Sequence, residues 1–203
     1  MRPLASALAV LAVAGALAGC VSVFPKQQPA QLFRFGVTTT PAEGQAGERF
    51  GVMNSVTSFE PAAATDRILT VSGNEAAYIK GSRWVAPAPS LFDDAMRRAF
   101  EAGGPARLIA RGEVVRPDYV LKVDVIRFEA RYDHGAGAAP TVVVALHAAL
   151  DRTSDRALAG DRTFEARIDA ADNRVGAIAQ AFDQAVTKTL TDLVAWVGAK
   201  GQA

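Results

Sequence analysis

Cys20 is the only thiol in this 203-residue chain, and it follows Leu17-Ala18-Gly19 at the end of an apolar run that starts at Leu4. An ionised cysteine is a nucleophile, so this position could carry a covalent group, whereas a disulfide within the chain has no second partner. His134 and His147 are the only histidines. His134 lies in the turn-like Tyr132-Asp133-His134-Gly135, and His147 sits between apolar neighbours, so both read as structural residues. Asp93-Asp94 are adjacent carboxylates expected in the first turn of a helix, where acidic side chains favour the dipole. Gly135-Ala136-Gly137 is too short to cradle a phosphate, and no Gly-x-Ser-x-Gly elbow occurs. Without clustered carboxylates or a paired-histidine helix motif, a tight metal site is not expected, and neither is a cofactor or an enzyme activity.

The elements around Cys20 specify its chemistry. Arg2 supplies a positive start, Leu4–Leu17 an apolar stretch and Ala18-Gly19 a small-residue exit. That is a secretory leader, too short for a membrane span of about 20 apolar residues. The Leu-Ala-Gly-Cys ending resembles the lipobox of bacterial lipoproteins. The resemblance implies cleavage before Cys20, diacylation of its thiol and acylation of the new amino terminus. Residues 1–19 are then the signal peptide and residues 20–31, with Pro25 and Pro29, a lipidated tether. Val21 rather than aspartate follows the cysteine; by resemblance to Gram-negative lipoproteins, this favours the periplasmic face of the outer membrane.

Residues 32–200 read as a single domain. Half of the chain is apolar and the formal net charge is +1, so a core is within reach without metals or disulfides, and no basic footprint for nucleic acid appears. Leu32–Val37 and Phe50–Val56 read as strands. Arg67–Val71 and Glu75–Lys80 flank Ser72-Gly73-Asn74, which is hairpin chemistry. Arg83–Pro89 is expected to be extended. Ser90, with Asp93 three residues on, is expected to cap a helix that Gly103-Gly104 stops. From Tyr119 the apolar residues fall on odd positions up to Val125; then the phase flips, with Ile126, Phe128 and Tyr132 apolar. A strand has period two, so the slip implies a β-bulge near Val125-Ile126 or a strand changing environment, and the bulge is favoured.

Thr141–Leu150 is apolar on both faces and is expected to be covered on both sides, by helices or a neighbouring subunit. Phe164–Ile168 alternates as its partner strand. Asp172 or a neighbour is expected to cap a long helix with Ile178, Phe182, Val186, Leu190 and Val197 on its stripe, ended by Gly198. The expected architecture is α+β: an antiparallel or mixed β-sheet with two α-helices packed on it, order ββββ-α-βββ(β)-α.

Asp66-Arg67-Ile68-Leu69 with Tyr78, Arg83-Trp84-Val85-Ala86-Pro87 running into Ser90–Ala95, Pro117–Leu121 with Phe128-Glu129, and Leu193–Val197 together resemble the ABC-type transport auxiliary lipoproteins. This is the family of the third component of paraquat-inducible-type operons. Met53-Asn54-Ser55 departs from it, because a proline-containing continuation of the second strand is expected there. The resemblance implies a non-catalytic, outer-membrane lipoprotein of an intermembrane lipid transport system. Its partners would be an MCE-domain periplasmic protein and an ABC transporter complex, and a homo-oligomeric ring is a further expectation. The alternative function is a lipid-anchored envelope assembly or integrity factor that binds another envelope protein or the cell wall. Arg83 and Trp84 are the candidate partner-binding residues, because both types are enriched at binding hot spots; core packing is the competing role for Trp84.

Overall fold

The computed structural model describes residues 29–36, 49–110 and 112–201. Their elements run β1 (Gln31–Phe33), β2 (Phe50–Phe59), β3 (Arg67–Ser72), β4 (Glu75–Trp84), α1 (Ala88–Ala102), β5 (Ala106–Leu108), β6 (Tyr119–Arg131), β7 (Thr141–Arg152), β8 (Leu158–Asp169) and α2 (Val175–Gly201). The fold is α+β, with an open mixed sheet and two helices. The order agrees only loosely with expectation: β5 is an addition, β1 is shorter than expected, and β2 continues to Phe59.

β6 organises the sheet. Antiparallel β7 lies along one side of it, with β8 beyond. On its other side β6 pairs in parallel first with β2, over Tyr119–Val125, and then with β3, at Ala130–Arg131. The anticipated slip is present. The β6–β7 register shifts between Val125 and Arg127, leaving Ile126 unpaired. The extra residue lets Leu121, Val123 and Val125 before it, and Phe128 and Ala130 after it, all point into the core. It also falls where β6 exchanges β2 for β3, so the two readings of the phase flip describe one feature. The β3–β4 hairpin closes through Gly73-Asn74, with Gly73 at φ +56° as a tight two-residue turn requires. β1 pairs in parallel with the end of β4.

Both helices pack on one face of the sheet. α1 begins at Ala88, two residues before the expected start, with Pro87 at the cap position and no side-chain cap from Ser90. Pro89 sits in the first turn, where a missing N–H costs nothing and the fixed φ suits a helix. Asp93 and Asp94 therefore lie beyond the first turn. Asp172 does fold back before α2, its Oδ1 accepting from the Arg174 amide at 2.8 Å. Gly198 does not end α2. It lies inside the helix against Pro105, where absence of a side chain permits the close approach. The interior is an aromatic cluster. Phe35 meets Trp84 at 5.0 Å, Trp84 meets Phe182 at 5.2 Å, and Phe128 meets Phe182 at 4.8 Å between centroids.

The covering of β7 differs from expectation. Val142, Val144, Leu146, Ala148 and Leu150 join the core, but Val143 and Ala145 belong to the opposite face and are still 0% and 1% exposed. In register they are flanked by Glu129 and Arg167, and by Arg127 and Glu165. The Arg127–Glu165 pair, at 3.6 Å, reaches across β7 over Ala145. Aliphatic stems of charged side chains shield these small residues while their heads stay in water, so no second helical layer is needed.

Candidate functional site

β2 is ten residues long, but β5 pairs with only Phe50, Gly51 and Val52 of it. Where β5 stops, a cavity of about 390 Å³ opens between β2, α1 and the segment after β5. Asn54 and Thr57 form its floor; Met96, Arg97 and Phe100 of α1 form one wall, and Leu108 and Ile109 form the other. Arg49 closes one end. Its Nη2 donates to the Phe100 carbonyl and, at 2.6 Å, to the Ala106 carbonyl, tying the negative end of α1 to β5. Among the described residues, two side-chain atoms here are buried without a hydrogen-bond partner, Arg49 Nε and Asn54 Oδ1. The other end of the Asn54 amide is satisfied, because Nδ2 donates to Thr57 Oγ1 at 3.0 Å. The departure at Met53-Asn54-Ser55 is itself a bulge: the β2–β6 register shifts between Asn54 and Val56.

A second device holds the amino-terminal segment. Phe35 inserts into the aromatic core and Gly36 follows at φ +68°. The Gly36 amide donates to Asp183 Oδ1 of α2 at 2.5 Å, and Arg98 of α1 donates to the Gly36 carbonyl at 2.7 Å. Both main-chain groups of one residue, Gly36, are thereby held, each by a different helix.

The residues singled out in the sequence are not brought together. Cys20 lies outside the described residues. Trp84 is 2% exposed, ringed by Phe35, Phe128 and Phe182, so its indole is a core element and offers no partner surface. Arg83, its neighbour, points the other way and pairs with Asp66 at 2.8 Å on the surface. Trp196 packs edge-on against Phe164 at 5.8 Å. His147 is on the outer sheet face, 3.3 Å from Asp161, and His134 is exposed in the β6–β7 turn. Asp93 borders the cavity, whereas Asp94 pairs with Arg97. Among the described residues, no three or more His, Cys, Asp and Glu side chains gather as a metal site would need. No helix there is long and apolar enough to cross a membrane.

The family model for the ABC-type transport auxiliary lipoprotein component matches residues 34–194, which takes in every element from Phe35 to most of α2. The chain belongs to this family. Among solved structures, the lipoprotein is similar to protein XCC0632 from Xanthomonas campestris, 30% identical, with a TM-score of 0.71 over 85% of this chain and 97% of that one. It also shares a fold with protein CT253 from Chlamydia trachomatis, at 8% identity and a TM-score of 0.55 over 75% of this chain and 98% of that one. No curated protein matches the sequence. Membership of a lipoprotein family makes this a membrane-anchored envelope protein and an auxiliary component of transport.

Proposed function

We propose that this lipoprotein is a non-catalytic docking subunit of an ABC/MCE-type intermembrane lipid transport system, held by acylated Cys20 on the periplasmic face of the outer membrane. The family match over residues 34–194 carries the reading. Val21 after the acylated cysteine favours the outer membrane. An anchored role is supported by the way the amino-terminal segment is held, because force from a tether there would first load the β1–β4 pairing and then the Gly36 clamp on both helices. Among the described residues the two histidines lie far from the cavity, so neither can serve the Ser55 or Thr57 hydroxyl there as a general base, which supports binding over turnover.

The test is co-purification. Tagged full-length lipoprotein, extracted from its own membranes in mild detergent, is expected to bring down an MCE-domain protein and to sediment with outer-membrane vesicles. Recovery of an outer-membrane barrel or peptidoglycan with no MCE-domain protein would replace this reading with that of an envelope assembly factor.

A further inference from the structure

We infer that the open edge of β2 beyond β5 is a peptide-docking site, which receives an extended segment of a partner protein as an added strand beneath α1. The inference deepens the docking reading above and rests on it for the partner's identity, but the site stands on its own geometry. On the β5 side, the Phe50 amide donates to the Pro105 carbonyl and the Ile109 amide to the Val52 carbonyl, so the main-chain groups of Phe50 and Val52 face β5. On the β6 side, the Gly51 carbonyl accepts from Asp118 and the Glu60 amide donates to Val125. Alternation along the strand, with the bulge at Ser55 resetting its phase, turns the main-chain groups of Asn54, Thr57 and Phe59 away from β6. β5 would have paired with them had it continued, and no described residue does so.

Three further observations point to a peptide rather than a compact small molecule. The free donors and acceptors recur along a strand edge, a spacing that an extended backbone matches and a compact ligand does not. The Asn54 Oδ1 beside them is buried and unpartnered, a state that an incoming amide N–H would relieve once the side chain turns outward. The overhang Asn54-Ser55-Val56-Thr57-Ser58-Phe59 contains no charged residue and no proline. The long outer strand β8, by contrast, carries Asp161, Arg162, Glu165, Arg167 and Asp169, the kind of charges that keep an edge from pairing. The cavity of about 390 Å³ offers side chains of the guest both apolar contacts, at Met96, Phe100 and Leu108, and charged ones, at Asp93, Arg97 and Glu101.

A phage-displayed library of random peptides, selected on the full-length lipoprotein in detergent micelles, tests the site. Selected peptides are expected to slow amide exchange at Asn54, Thr57 and Phe59. Affinity should fall about tenfold or more in Thr57→Pro, which removes one outward-facing donor. The change also deletes the hydroxyl that accepts from Asn54 Nδ2. Thr57→Ala, which loses the hydroxyl but keeps the donor, is the control and is expected to retain more of the affinity. Asn54→Leu, which leaves the β2 main chain intact, is expected to weaken the same peptides. Ser58→Pro, which removes an amide facing β6, should instead lower the melting temperature. Peptides that protect another region, or that bind both edge variants as tightly as wild type, would overturn the inference. So would a fatty acid that slows these amides when no peptide does. Co-purification of the MCE-domain protein separates the two proposals. If it persists in Thr57→Pro while peptides fail to bind the wild-type edge, the groove inference falls and the docking reading stands. Peptide binding at the edge without any MCE-domain protein sinks the docking reading and leaves the groove inference standing.

Discussion

Glu60, where β2 leaves the sheet, has a carboxyl whose pKa is raised above the ordinary glutamate value, first by burial and then by the nearby charge of Glu129. A raised folded value means the native state holds the proton more tightly than the unfolded chain does. The stability linked to this group is therefore fully present below the unfolded pKa and is lost as pH rises through the folded one. Glu60→Gln is expected to melt higher than wild type at neutral pH, with the two curves converging in acid. A gap independent of pH would show that the carboxylate is not the cause. Gly36 is the other residue whose type is dictated by its surroundings. A Cβ there would sit 2.3 Å from the Ala95 Cβ, at a φ of +68° that side chains rarely adopt. Gly36→Ala should cost about 2 kcal/mol or more, measurable by chemical denaturation, while Phe128→Ala in the aromatic core should cost about 3–5 kcal/mol. Nothing in the sequence flags Gly36, because the clamp needs Asp183 and Arg98, which are distant in the chain and meet only when the helices cross.

At the scale of elements, α2 carries a glycine with no packing reason. Gly176 lies in its first turn with open space around the position of a Cβ. Gly176→Ala is expected to stabilise the protein by about 0.4–1 kcal/mol, chiefly by restricting the unfolded chain, and a lower melting temperature would contradict this. The apolar stripe of α2 is legible in the sequence because burial imposes the helical period, and the phase flip in β6 because burial imposes the strand period. The start of α1 is not. Ser90 has the look of a cap, but Pro87 and Pro89 fit the cap and first turn, and the Ala88 amide finds the Thr65 carbonyl at 2.9 Å. A local cap motif lost to a partner supplied from another part of the fold. The apolar character of both β7 faces is plain from its residues. What covers the second face is an ion-paired network from β6 and β8, which β7 alone does not reveal.

For the whole molecule, the proposed acyl anchor at Cys20 and the folded body should act independently. Cys20→Ser is expected to leave the body folded, with an unchanged melting temperature, but to abolish partition into the detergent-rich phase and recovery with membranes. Loss of folding in that variant would mean that the acyl group, or the segment bearing it, is part of the core.

The amino-acid order alone determined what local periodicity and local chemistry can encode: two amphipathic helices, alternating strands with one slip, and the scattered residues that carry the likeness to the family. Only the tertiary structure decided where Trp84 points, how Gly36 is held and that β2 outruns β5, leaving an edge beside a cavity that no described residue pairs. Each of these depends on which distant segment arrives next to which, and that outcome is set by the packing of the whole chain around one core, not by any window of neighbouring residues.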